Sequence, residues 1–207
     1  QQSACSSFKA VMETSWKNYG LSQPRNGMPV GPLTVYDEVS LELSRKAWAT
    51  WKDMGVLDNW GDGTITRNVI DTMVGEHSRG GRHHGGGFYE YGEDGSKTIW
   101  PGLMDLYYDA DASIAEDDIK DRLLFRQVIE ALKCLETGVL RSVADGNIGS
   151  IMGIGAPAWT GGLIQFVNTY GLERFSARCA ELASQYGDRF EAPGIVSEKI
   201  AAGEVFA

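Results

Sequence analysis

Cysteine is scarce in this 207-residue chain: Cys5, Cys134 and Cys179 are widely spaced and odd in number. No CxxC pair occurs, which excludes a zinc ribbon and a disulfide framework and fits a reducing compartment. Histidine is scarcer in effect, because His77, His83 and His84 fall within one short stretch and no Cys, Asp or Glu stands at regular spacing beside them. No metal site is expected there. The chain also lacks any run of Lys and Arg. With 19 basic against 28 acidic residues its formal net charge is −9, which argues against general nucleic-acid binding. No apolar stretch approaches the roughly 20 residues that span a bilayer. Gln1 to Ser7 lacks the basic and apolar regions of a signal peptide and reads as the start of a cut piece. Gly-x-Ser-x-Gly, Walker and HExxH motifs are missing. So is GxGxxG: the run at Gly85 to Gly87 continues into Phe88 and Glu90, and Gly153-x-Gly155-x-x-Ala158 carries Pro157 and follows no strand pattern.

What is present is helical patterning. Phe8, Val11, Met12, Ser15 and Trp16 share one face of a helix over Phe8 to Tyr19, ended by Gly20. Gly27-Met28-Pro29-Val30-Gly31-Pro32-Leu33 cannot be helix interior. A long helix is expected from Thr34, capped by Thr34 with Asp37, with Val35, Val39, Leu43, Ala47, Trp51 and Met54 inward and Gly55 as its stop. Further helices are expected over Arg67 to His77, Ile119 to Val139, Ala144 to Ile151, Leu163 to Tyr170 and Glu173 to Tyr186. Phe88 to Tyr91 reads as a short extended piece, and Asp105 to Asp118 as the connection between halves. Trp48, Trp51, Trp60, Trp100 and Trp159 are expected to fill the core.

Two segments echo one another. Gly27-Met28-Pro29 followed by Gly31-Pro32-Leu33 is matched by Gly155-Ala156-Pro157 followed by Gly161-Gly162-Leu163, and each leads to a Leu-Glu pair, Leu41-Glu42 and Leu172-Glu173. Repetition of a tight Gly/Pro corner suggests two related helical units, 1–104 and 105–207.

The run Gly27 to Leu33 with Asp37-Glu38-Val39-Ser40-Leu41 resembles the first carboxy-terminal repeat of the 3-hydroxyacyl-CoA dehydrogenases. So does Arg79-Gly80-Gly81-Arg82 leading to Gly85-Gly86-Gly87-Phe88-Tyr89-Glu90-Tyr91, and Asn147 with Gly153 to Pro157 and Gly161-Gly162 is similar to the family's second repeat. The resemblance runs from about Met28 onward. Two repeats in one chain resemble the long, multifunctional fatty-acid oxidation enzymes. The resemblance implies an all-α fold of two tandem repeats like the carboxy-terminal domain of 6-phosphogluconate dehydrogenase. It implies NAD in the intact enzyme, held by an amino-terminal dinucleotide-binding domain together with the catalytic pair, and neither cofactor nor catalytic residues within these 207 residues. It further implies an acyl-CoA substrate, a homodimer as one arrangement open to the chain, and a bacterial cytoplasm or a eukaryotic organelle as its setting. Ser40 stands where the family usually has Gly, His83-His84 where Lys is frequent, and the opening Asn-Arg pair is missing.

Gly27, Met28, Pro29, Gly31 and Pro32 are the candidate substrate-facing residues, because exposed backbone at such a turn can line the acyl-CoA cleft. A plain helix-packing corner is the alternative. Arg79, Arg82 and the histidines are either a patch for CoA phosphates or a solvated loop. Asp37-Glu38 is favoured at a helix start by the dipole. A non-catalytic interaction or acyl-CoA-binding module derived from such an enzyme is the other reading of the whole chain.

Overall fold

A computed structural model describes residues 30–55, 64–107 and 116–207. The described residues fall into two compact units, 30–107 and 116–207. The Phe8–Tyr19 helix, Trp60 and Gly27, Met28 and Pro29 lie outside them.

The first unit holds α1 (Pro32–Val39), α2 (Leu41–Asp53), α3 (Thr64–Asp71) running into a π-helical turn (Thr72–Glu76), an antiparallel hairpin of β1 (Tyr89–Tyr91) and β2 (Lys97–Ile99), and α4 (Gly102–Tyr107). Tyr89 pairs with Ile99 and Tyr91 with Lys97. The core gathers Leu33, Leu41, Val69, Ile70, Met73, Phe88, Tyr89 and Leu103. Each such side chain contributes roughly 1.5–3 kcal/mol through burial.

The single long helix expected from Thr34 is two helices, broken at Ser40, whose φ of 86° no helix interior can hold. The break resets the buried face. Leu33, Thr34, Asp37 and Leu41 turn inward, while Val35, Val39, Leu43 and Met54 are exposed, against the expectation drawn from their spacing. Thr34 and Asp37 lie inside α1 rather than capping it; Pro32 takes the first helical position, where its missing N–H costs nothing. The connection expected over Asp105 to Asp118 is partly helix, since Asp105 belongs to α4 and Asp117 and Asp118 to the next helix.

The second unit consists of α5 (Glu116–Glu136), α6 (Val143–Ile154), α7 (Leu163–Tyr170), α8 (Leu172–Tyr186) and α9 (Gly194–Ala202), with 3-10 turns at Ala158–Thr160 and Asp188–Phe190. Phe125 of α5 is fully buried, stacks on Phe175 at 4.8 Å and meets Tyr170 edge-on at 5.4 Å, tying α5 to α7 and α8. Cys179 is buried in the same core, where desolvation pushes its thiol up to about 12; it is inert. Trp159 is 67% exposed, contrary to its expected place in the core, because Pro157 and Gly161 turn the 3-10 segment outward and only its ring edge meets Phe166. Trp48, Trp51 and Trp100 are half-buried. Apart from one hairpin the regular elements of the described residues are helical, as expected of an all-α fold. Among them no helix is long and apolar enough to cross a membrane.

One helix–helix corner has the same backbone form in both units. α1 and α7 each have 8 residues, and each ends in one residue outside helical space: Ser40 at φ 86°, ψ 124° and Gly171 at φ 91°, ψ 126°. Each then enters a longer helix through a buried leucine, Leu41 or Leu172. On this register Gly31 matches Gly162, both N-caps, and Leu33 matches Ile164, both buried. The sequence echo pairs Gly31 with Gly161 instead, and the structure shifts it by one residue. A non-glycine residue at this conformation is strained by about 1–2 kcal/mol. An alanine Cβ at Gly171 would meet only Arg174 Cβ, at 4.0 Å. Gly171→Ala is therefore expected to destabilise the second unit by about 1–2 kcal/mol through backbone strain alone, read by denaturant unfolding. At Ser40 the strain is offset locally, since its hydroxyl donates to Gly80 O at 3.0 Å and accepts from Leu43 N at 3.4 Å.

Candidate functional site

The expected ligand-facing turn is described from Val30 onward. Val30 is exposed, Gly31 is the half-buried N-cap of α1 with extended backbone, and Pro32 follows it into the helix. The exposed Val35 and Val39 lie on the same short helix. Behind the turn, Lys97 of β2 donates from Nζ to Thr34 Oγ1 at 2.7 Å and lies 4.2 Å from the centroid of the Tyr89 ring. Burial lowers the Lys97 ammonium below its ordinary pKa. A polar backbone turn, apolar side chains and one fixed cation are thus grouped at the start of α1.

The rigidity of this corner comes from Asp37, fully buried on the inner face of α1. Its Oδ1 accepts from Phe88 N at 2.7 Å, and its Oδ2 accepts from Tyr89 N and from the Tyr91 hydroxyl, both at 3.0 Å. One carboxylate therefore clamps the glycine-rich run to the helix. Gly87 is required for the close approach, because a Cβ there would overlap Asp37 Oδ1. From the other side Arg79 donates from Nε to Gly87 O at 2.6 Å and from Nη2 to Tyr89 O at 2.8 Å, with its guanidinium 4.6 Å from the Trp100 ring centre. Arg82 pairs with Glu38 at 2.8 Å. Both arginines are thus engaged within the fold. His77 packs beside Trp100 at 5.0 Å, while His83 and His84 are exposed on the 3-10 turn Arg82–His84. Among the described residues no cluster of three His, Cys, Asp or Glu side chains stands ready for a metal.

The second unit uses an amide in the matching place. Asn168 stands in α7 where Asp37 stands in α1; its Oδ1 accepts from Phe206 N at 3.0 Å and its Nδ2 donates to Phe206 O at 2.7 Å. Asn147, which the sequence singles out, accepts from Ile164 N at 3.1 Å and Gln165 N at 2.9 Å, capping α7 from outside. Ser150 adds a bond from Leu163 N at 3.2 Å. The roles of Asp37, Arg79 and Asn168 were not readable in the sequence, because each binds a backbone segment far along the chain.

Two carboxyls, Asp37 in the first unit and Asp118 in the second, are shifted in opposite senses. Burial pushes the Asp37 carboxyl above the usual range, against the pull of its hydrogen bonds and Arg79. The part of its stabilisation that comes from this raised value is full below the unfolded carboxyl value and is lost as pH rises through the folded one, while its acceptor bonds to the Phe88 and Tyr89 amides remain. For Asp118 burial acts upward too, but hydrogen bonds from Arg178 and Tyr186 outweigh it and hold the carboxyl low. That contribution is present above the unfolded value and lost as pH falls through the folded one. Between neutral pH and pH ~3, Asp118→Asn is expected to flatten the acid-side loss of stability in the second unit. Asp37→Asn is expected to leave that loss intact; segment-resolved hydrogen exchange at several pH values reads both.

A Rossmann-type dinucleotide site is built on a strand, a glycine turn and a helix N-terminus in a parallel βαβ unit. The strands of the described residues form an antiparallel hairpin instead.

No protein-family model matches the chain. Among curated proteins it is similar to fatty acid oxidation complex subunit alpha of Vibrio campbellii, 34% identical over 168 residues, covering 79% of this chain and 22% of that protein. The subunits of the same name from Vibrio parahaemolyticus and Shewanella frigidimarina are also 34% identical, over 168 and 171 residues, with 79% of this chain covered in each case. The chain spans 22–23% of the length of these relatives. The resemblance read from the Gly/Pro turn and the glycine-rich run therefore agrees with the comparison across most of the chain, which is similar, as a segment, to the alpha subunits of fatty acid oxidation complexes.

Proposed function

We propose that this chain is the carboxy-terminal helical part of an NAD-dependent 3-hydroxyacyl-CoA dehydrogenase of fatty-acid β-oxidation. The observation that carries the reading is the similarity to fatty acid oxidation complex alpha subunits over 79% of the chain. In the intact enzyme an amino-terminal dinucleotide-binding domain holds NAD and carries the catalytic groups that oxidise the 3-hydroxyl of the acyl-CoA. The present residues shape one side of the acyl-CoA cleft with the turn at Gly27, Met28, Pro29, Gly31 and Pro32. The corner held by Asp37 and Arg79 supports this role for Gly31 and Pro32, because a helix start braced from behind presents its backbone at fixed geometry. The tandem units 1–104 and 105–207 are two copies of one repeat, the second standing where a partner subunit's repeat stands in shorter relatives. The relatives named above are bacterial, which supports a cytoplasmic setting.

Calorimetric titration of the chain with a medium-chain 3-hydroxyacyl-CoA and with NAD tests the binding half of this reading. The acyl-CoA is expected to bind weakly, NAD not at all, and Pro32→Gly to weaken acyl-CoA binding by unfixing the turn. A micromolar dissociation constant for NAD would overturn the assignment of the cofactor to another domain.

A further inference from the structure

Away from the turn, a cleft of about 410 Å³ opens between α2 and α3, lined by Arg45, Trp48, Lys52, Arg67, Ile70 and Asp71 among others. That volume falls within the ~300–1,000 Å³ of small-ligand pockets. Ile70 is buried at 3% exposure, and the half-buried Trp48 stands among the lining residues as an aromatic surface. The charge of the cleft runs against that of the chain. Three cations, Arg45, Lys52 and Arg67, meet two anions, Asp53 and Asp71, in a protein of net charge −9. Asp71 is held between the two guanidinium groups, 3.3 Å from Arg45 Nε and 3.5 Å from Arg67 Nε. Both contacts use the Nε edge. Arg45 Nη1 has one further, long contact to Glu42 at 3.9 Å. Among the described residues Asp71 is the one anion paired with Arg67, and no anion pairs with the Lys52 ammonium. A guanidinium, an ammonium and an indole lining one cleft are the chemistry that recognises a flat ring carrying a phosphate.

We infer that this cleft binds a nucleoside monophosphate, with its base stacked on Trp48 and its phosphate between Arg67 and Lys52. The site is separate from the Gly31–Pro32 turn and stands whether or not the reading of that turn holds. Aspartate and glutamate metabolites lack the ring, and free bases lack the charge; the pair together selects the ligand class.

Calorimetry of the full chain at low salt with AMP, adenosine and inorganic phosphate tests this. AMP is expected to bind saturably at one site, at least about tenfold tighter than either adenosine or phosphate, and to weaken as salt is added. Arg67→Glu, Lys52→Glu and Trp48→Leu are each expected to weaken AMP by roughly tenfold or more with unchanged helical circular dichroism. Lys52 is exposed and without an ion pair among the described residues, so its variant reports on the site should Arg67→Glu disturb the fold. AMP binding no tighter than phosphate alone, no saturable heat, or full retention in the Lys52 and Trp48 variants would each overturn the assignment.

Discussion

Asp37→Ala is expected to lower the stability of residues 30–107 by on the order of 3 kcal/mol or more, the largest single-residue effect in that unit. The substitution removes the acceptor for the Phe88 and Tyr89 amides, both in the core, and for the Tyr91 hydroxyl. Each buried donor left without a partner costs about 1–3 kcal/mol. Tyr91 is half-buried and can turn to water, so the two backbone amides dominate. Asp37→Asn should fall between alanine and the native residue. An amide offers one oxygen, and its nitrogen faces a second donor. Hydrogen exchange at Phe88 and Tyr89 reads the effect directly, and the second unit serves as an internal control. Unchanged exchange at those amides in the alanine variant would show that Asp37 is not what holds the glycine-rich run.

Gly162→Ala is expected to do comparable damage in the second unit. Gly162 caps α7 at φ 113°, and a Cβ there would overlap the backbone Cα of Asn147, which is itself the residue that caps α7. A flexible side chain could move aside; a helix backbone cannot. Left-handed strain and the lost cap together should cost about 3 kcal/mol or more. Asn147→Ala removes the cap without the collision and should cost about 1–2 kcal/mol. Measuring both by denaturant unfolding separates the two contributions: equal losses would mean that the close approach of α6 to α7 is unimportant.

These two positions also show what the sequence could and could not reveal. The helix Leu163–Tyr170 was readable to the residue, because Gly161-Gly162 and Gly171 bracket a dense apolar run. The long helix of the second unit was legible from its periodicity, although its observed span, Glu116–Glu136, begins and ends three residues earlier than expected. In the first unit the equivalent break was hidden, since Ser40 adopts a conformation that normally announces itself as glycine. Missing that break carried the wrong face inward and made Val35, Val39 and Leu43 look like core. Local pattern also made Asp37 look like a capping residue. Its partners, Phe88 and Tyr89, are joined to it only by the folded chain, so no spacing rule reaches them. Trp159 misled for a simpler reason: large aromatic residues are mostly buried, but a turn fixed by Pro157 and Gly161 can hold one out. The resemblance at Gly27 to Leu33 located the candidate turn, and only Gly31 and Pro32 of its five residues fall within the described structure.

The decisive measurement is oxidation of a 3-hydroxyacyl-CoA with NAD, assayed with this chain alone and then mixed with a separately made dinucleotide-binding domain from a related alpha subunit. A complementing carboxy-terminal part gives NADH only in the mixture, and less of it when Pro32→Gly replaces the native chain. NADH from the chain alone would place the catalytic groups within these 207 residues and contradict the account; silence from a mixture whose two pieces demonstrably associate would contradict it equally, by making the chain a binding module without a part in the reaction.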